Sequence, residues 1–558
     1  MYADLYSHPA AFAYDHMRQQ DQDANLHRHP WAIPPANGNG SLKPVWQSGY
    51  SQTDLAKCLR SNTRLLFASL SPIEKGFFTG TAGSRINKQF MLELHERWHK
   101  EGVRAACTWL LSQLNKRPGQ DNLTYTDMRF LCSRGMNLKP AQVKKLQNDN
   151  YDYFEELKDE YRFFLDRSGQ HTTTPYEIKI DDKGTARTWE GAYTLAASSS
   201  EIDINPDDLD RNEIFIVPTL GGIHSLGIGN PEDADLRPGQ QRKDADLGTL
   251  KSRIRQLKGE EPLDSGPLSR WQHRPFYIAF AQHFNNTLCG HAKSFSASAS
   301  LLFDQRKGLD QGILLGCLEV WRELLGLNPE MEPTGSSRIL IDIHHMSAAA
   351  RNAYYKHIIK PHNNNHSENP IPVIASHAGY AATDYLQNLI DRGKKGLETT
   401  DNHVNGFLAW SINLCDEDVL QIFNSQGLLG LSLDYHLLGG GAHAWLDNIP
   451  FAPLARKRTL NLIKRTLQQF VRIPFEYYVA DPHTIWHRIA LGSGFDGFTQ
   501  PLERYSSVLQ FSTFEEDLVK ILHEMKREEP IWFGSYRPEE LARKICFNNA
   551  YEFVKKHY

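Results

Sequence analysis

Eight short apolar runs that do not alternate constrain this chain more than any other feature. They span residues 3–8, 64–70, 214–220, 275–281, 339–343, 371–376, 428–433 and 488–493. A strand with one wet face alternates apolar and polar residues. A strand buried on both faces reads as a continuous Ile, Val, Leu and Phe run, which is the mark of parallel sheets. Segments of helical period lie between the runs. Eight such strands alternating with helices fit a closed (β/α)8 barrel, an α/β fold of the TIM type, better than an open doubly wound sheet.

The helical segments carry start and stop signals. Ser347 can cap the run 348–360, and Asp416 can cap the run 417–426, which meets Gly427. Tyr151, Phe154, Leu157, Tyr161 and Phe164 mark one face of another helix. Residues 453–471 and 514–525 read the same way. The strand spacing is uneven. A helical and hairpin insertion is expected at about 71–213, with a long helical region at 85–117 and a hairpin at 176–190 around Asp182-Lys183-Gly184. Polar insertions fall at about 229–267 and 438–452, and a polar linker at 362–370. Gly439-Gly440-Gly441 reads as a flexible loop. No internal repeat is visible. The expectation is one barrel domain over residues 1–558, decorated by these insertions.

Bulk properties narrow the function classes. A net charge of -4 on 558 residues gives no reason to expect nucleic acid or an anionic membrane as partner. No apolar stretch reaches the roughly 18 residues of a membrane span. The start, MYADLYSHP, lacks the basic and apolar segments of a secretory signal. The seven cysteines are scattered, with no C-x-x-C pair, which favours reduced thiols and a cytoplasmic protein over disulfides or a thiolate zinc site. A small-molecule or peptide substrate fits this profile, and a homodimer is left open.

In a parallel barrel, reacting side chains sit at the C-terminal strand ends. Here those ends carry His8, His224, His283, the pair His344-His345, His377 and Asp496. Neutral imidazole is a common zinc ligand. Neighbouring strands lie about 4.8 Å apart, so His345 and His377 could share one ion. Each histidine alone also fits a hydrogen-bonded core or loop residue. His344 and His224 rank lower, since each has a close neighbour better suited to the role. Asp342 sits within an apolar run and needs a partner, either a ligand histidine or a backbone group.

The segments around these residues resemble a known family. ILIDIHHMS resembles the D-x-S-H-x-S segment of the membrane dipeptidase (renal dipeptidase-like) family of the amidohydrolase superfamily. PVIASHAG resembles its P-V-x-x-S-H-S, TLGGIHSLG its x-E-G-G-H-S-L, and AQHFNN its T-H-x-x-N. INLCDEDVLQIF, ALGSGFDGF and the opening ADLYSHP resemble three further segments, all in the family's order. The resemblance implies a (β/α)8 barrel holding two zinc ions. It implies hydrolysis of dipeptides by a metal-bridging hydroxide, including those with a D-residue on the C-terminal side. Carried over by position, His345 and His377 would bind metal and His8 would be a first-motif ligand. His283 would contact substrate, with Asn286 beside it.

The departures are specific. Tyr6 stands for the first histidine of the opening motif, and Gly221 for the bridging glutamate. Ile412 stands for the arginine that grips the substrate carboxylate, and Gly494 for the strand-eight aspartate. Without a bridging carboxylate two close zinc ions repel one another, so one zinc is expected. The readings are then a divergent hydrolase with one metal on His345 and His377, joined by His8 or a carboxylate from an insertion, using His283 and Asp496 (or Asp434) in catalysis, or a barrel that has lost its chemistry and acts in binding. A metal-free His283–Asp496 acid–base pair is a third.

Overall fold

A computed structural model of the chain describes all residues except 18–29, 32–50, 81–85, 115–137, 149–150, 174–177, 180–185, 188, 206–211, 228–243, 265, 267, 296–301, 396–402 and 441–451. Eight parallel strands form the barrel: β1 (Tyr2–Ser7), β2 (Thr63–Leu70), β3 (Glu213–Gly221), β4 (Tyr277–Ala279), β5 (Leu340–Asp342), β6 (Ile374–Ala378), β7 (Leu428–Ser432) and β8 (Ile489–Gly492). Each pairs with its neighbour in chain order. Beyond β8 the backbone rejoins β1: Gly494 donates to the Tyr6 carbonyl at 3.0 Å, and His8 donates to the Phe495 carbonyl at 3.0 Å. The Asp4 carboxylate also accepts from the Ser493 backbone N–H at 2.8 Å. Residues of β1, β2, β4, β5, β6, β7 and β8 are buried throughout, as continuous apolar runs require. All eight expected strands are present.

The sheet has a ninth parallel partner. Strand Glu190–Leu195 runs beside the first half of β3, pairing Tyr193 with Ile214, whereas β4 meets only its end, at Leu220 and Gly221. Its residues alternate between buried and less buried, so a search for non-alternating runs passes over it. The helical region expected at 85–117 contains two helices, Lys88–Glu101 and Val103–Leu114, separated at Gly102, whose φ is +87°. Ile178–Lys179 and Ala186–Arg187 form the expected hairpin, and its Asp182-Lys183-Gly184 turn lies outside the described residues.

Two sequence readings need correction. The stretch 229–267 is not simply polar: helix Asp244–Leu257 buries Leu250, Ile254 and Leu257, which recur at helical spacing. Cys415, not Asp416, caps helix Asp416–Asn424. The Asp418 carboxylate accepts from the Cys415 backbone N–H and fixes the start one residue earlier. Ser347 caps the helix at Ala348 as expected, its hydroxyl accepting from the Ala350 N–H at 3.1 Å. Insertion helices between β2 and β3 supply a second apolar cluster around Phe77, Met91, Leu94 and Leu110. No helix among the described residues is long and apolar enough to cross a membrane.

Candidate metal centre and cleft

The C-terminal strand ends open into a cleft of about 1230 Å³, open solvent included. Tyr6 and His8 reach it from β1, Glu74 from the loop after β2, and His283 from beyond β4. His344 and His345 come from the end of β5, His377 from β6, and Asp434 and Asp496 from beyond β7 and β8.

His344, His345 and His377 form one group, with a ring nitrogen from each within 4.8 Å of the others. In an extended strand, successive side chains face opposite ways. Here φ at His345 is +66°, a left-handed conformation rare outside glycine. This turn breaks the alternation and lets two adjacent histidines face one cleft. The ring centres of His344 and His345 lie 4.2 Å apart. His344, which sequence position ranks below His345, thus faces the same cleft. The available signal was its position: it stands where D-x-S-H-x-S has a serine, so the segment carries two adjacent imidazoles there.

Buried groups hold this arrangement. Asp342 Oδ1 accepts from the His344 N–H and the Ser376 N–H, each at 3.0 Å, and so ties the backbones that carry His344 and His377. Of the two partners open to Asp342, the structure selects backbone groups. Burial, and then Ser376 and His344 as donors, set its carboxyl at about 6. Ser376 Oγ lies 3.0 Å from His377 Nδ1, and the Tyr6 ring stacks on His377 at 4.3 Å. Tyr6 thus fills the place of an expected histidine with an aromatic face. Burial holds its hydroxyl protonated, up at about 12.

The imidazoles are neutral. Burial pushes His344, His377 and His283 well below the ordinary histidine range, and neighbouring rings push them further. His345 falls to about 3, again chiefly by burial. Neither ring nitrogen of His344, nor Nδ1 of His345, has a hydrogen-bond partner. Buried polar atoms without partners are costly, and neutral imidazole nitrogens are the form that coordinates metal. The trio therefore fits a divalent ion that prefers nitrogen ligands.

The other expected residues take varied positions. His283 joins the group, its ring centre 4.9 Å from that of His345. Its Nδ1 bonds to Ser294 Oγ at 2.9 Å and its ring stacks on Phe295. His8 lines the cleft but turns Nδ1 to the Ser69 carbonyl at 3.0 Å, and it is not one of the trio. Asn286 does not face the cleft. It braces its own loop, donating to the Phe280 carbonyl and accepting from the Leu288 and Cys289 N–H groups. Asp496 accepts from the Ser51 hydroxyl and the Gln52 and Thr53 N–H groups. Burial still lifts it to about 7. Asp434 likewise accepts from the N–H groups of His436, Leu437 and Gln500. His224 bonds to the Pro72 carbonyl at 2.9 Å and packs on Tyr153, away from the cleft.

Glu74 is a cleft carboxyl that the strand-end reading passed over. Its oxygens accept from the His283 and Phe284 N–H groups, one each, and burial raises it to about 8. It is the first acid beyond β2, four residues past the strand.

At the two glycines where the resemblance implies carboxylates there is no room for a side chain. A Cβ on Gly221 would lie 2.6 Å from Ser71 Cβ, and one on Gly494 would lie 2.7 Å from Thr499 Cγ2. Ile412 belongs to a small apolar cluster with Ala292, Leu408, Trp410 and Leu437.

No family model and no curated protein matches the chain. Among solved structures it is similar to a metallo peptidase from Rhodobacter sphaeroides liganded with a phosphinate mimic of the dipeptide L-Ala-D-Ala. Identity is 12% and the TM-score 0.43, over 100% of this chain and 99% of that one. A second metallo peptidase, described as a dipeptidase, aligns at 11% identity and a TM-score of 0.42, again over 100% and 99%. A probable dipeptidase from Pseudomonas aeruginosa aligns at 12% and 0.37, over 92% of this chain and 91% of that one.

Proposed function

We propose that the chain is a divergent metal-dependent hydrolase of amide or peptide bonds, with one zinc ion on His344, His345 and His377. The observation that carries this reading is the buried trio, its ring nitrogens within 4.8 Å and those of His344 without partners. The ordered segment resemblance to membrane dipeptidases points the same way. A bound zinc ion supplies a Lewis acid and lowers the pKa of a coordinated water to about 7. The protein's own residues do the rest. Ser294 and Phe295 fix the His283 ring, so its second nitrogen can orient a substrate carbonyl. Tyr6 covers one face of His377 and keeps water from it. Glu74 carries one donor per oxygen, against three donors in all on Asp434 and on Asp496, so it has the most capacity left to hold or pass a proton.

Metal analysis of untreated protein tests this reading. About one zinc per chain is expected, abolished by His344→Ala with His377→Ala. Metal-free protein from zinc-replete cells ends it.

A barrel without catalysis is the second reading. It is favoured by the closed space at Gly221 and Gly494 and by the full set of donors on Asp434 and Asp496. Metal-dependent turnover of any amide or ester, lost in His377→Ala, counts against it.

A further inference from the structure

The cleft walls carry a charge pattern that bears on what enters. Leu408, Trp410, Ile412 and Leu437 line one side as an apolar cluster separate from the main core. Phe77 and Phe498, stacked at 4.1 Å, and Phe295 line another part. Among the described residues, no lysine or arginine lines the cleft, whereas Glu74, Asp434 and Asp496 do. Lys293 packs on this wall at Trp410. Its ammonium sits 4.1 Å from the centre of the Trp410 ring and does not line the cleft.

A ligand carboxylate moved against this wall would lose its water and gain no counter-ion from the described residues that line the cleft. That loss is unfavourable. An apolar or aromatic group placed there would instead be stabilised by leaving water.

Resting on the hydrolase reading above, we propose that the substrate is neutral beside its scissile bond. It presents an apolar or aromatic group, not a free α-carboxylate, to the wall of Leu408, Trp410, Ile412 and Leu437. The chain would then act on blocked or internal amides, and free dipeptides would be poor substrates. Ile412 is the residue that sets this preference, since it replaces the position where the resemblance implies a carboxylate-gripping arginine.

A matched set of probes tests the proposal: alanyl-phenylalanine, alanyl-phenylalanine amide and alanyl-glycine amide. Binding to the zinc-loaded full chain is measured by calorimetry, and hydrolysis by chromatography. The phenylalanine amide is expected to bind at least tenfold more tightly than its free acid and than the glycine amide. Ile412→Arg should reverse the order of amide and acid. Trp410→Ala, checked for unchanged folding, should weaken the phenylalanine amide by at least tenfold and leave the glycine amide nearly unchanged. Equal or tighter binding of the free acid to the unaltered protein overturns the proposal. If the amide preference holds but no probe is cleaved with or without zinc, the ligand preference stands and the hydrolase reading falls.

Discussion

The His344 and His377 rings lie 3.8 Å apart, centre to centre, and are inclined at 46°. They come from adjacent strands, and the Asp342 carboxylate ties both backbones. Two buried neutral rings in such contact, one with both nitrogens unpartnered, are the basis of the proposed zinc site. His344→Ala should therefore weaken zinc binding about as much as His377→Ala, by at least tenfold in a competition titration. His8→Ala should change it far less, since His8 Nδ1 is held by the Ser69 carbonyl. A larger loss in His8→Ala than in His344→Ala would move the site toward β1.

The barrel was legible because burial on both faces leaves a local signature, and each expected strand matches one of the eight. Strand Glu190–Leu195 and helix Asp244–Leu257 were not, the first because it alternates and the second because its few leucines sit among charges. At the site, strand-end logic selects His283, His345 and His377, and all three line one cleft. It cannot foresee the left-handed φ at His345 that brings His344 in, because a non-glycine residue gives no local sign of that conformation. Nor can it see that Asn286 and Asp496 are committed to nearby backbone groups. Those bonds depend on loop paths that strand patterns do not encode.

Placing a carboxylate at Gly221, where the segment resemblance implies a bridging glutamate, should fail. In Gly221→Glu the new side chain would start 2.6 Å from Ser71 Cβ, between Ser71 and Ser69. Overpacking of this kind costs about 1–3 kcal/mol. The variant should unfold at lower denaturant and bind no second zinc ion. Adding Ser71→Gly should recover part of the stability. A Gly221→Glu protein as stable as the parent would show that the β2 loop yields.

Arg351 and Asp418 form an ion pair at 2.9 Å with both side chains fully buried. Arg351 also donates to the carbonyls of Met346 and Ser411, while Tyr355 donates to Asp418. The pair thus locks the loop after His345 to the segment that carries Trp410 and Ile412. Removing one partner strands a buried charge, at about 3–5 kcal/mol. Asp418→Ala should lose stability on that scale in chemical denaturation and weaken zinc binding as well. Normal stability in Asp418→Ala would mean that water reaches Arg351.

Asp4 gives a pH dependence with a definite sign. Burial lifts its carboxyl from the ordinary aspartate range to about 7, against hydrogen bonds from Ser493 and Tyr6 that lower it. Cys58 and Tyr277, which interact with it electrostatically, are themselves kept protonated by burial. Between about pH 4 and the folded value, the folded chain keeps a proton that the unfolded chain has released. The stability from this group is therefore complete below the unfolded value and is lost as pH rises through about 7. The buried histidines act in the opposite sense, because their folded values are lowered. A difference between two proteins removes their contribution. The stability of Asp4→Asn relative to the parent should therefore rise from about pH 4.5 to about pH 7.5, since asparagine cannot ionise. Denaturant midpoints of both proteins at the two pH values measure this directly. A difference that stays flat, or falls as pH rises, would show that Asp4 is ionised in the fold well below neutral pH.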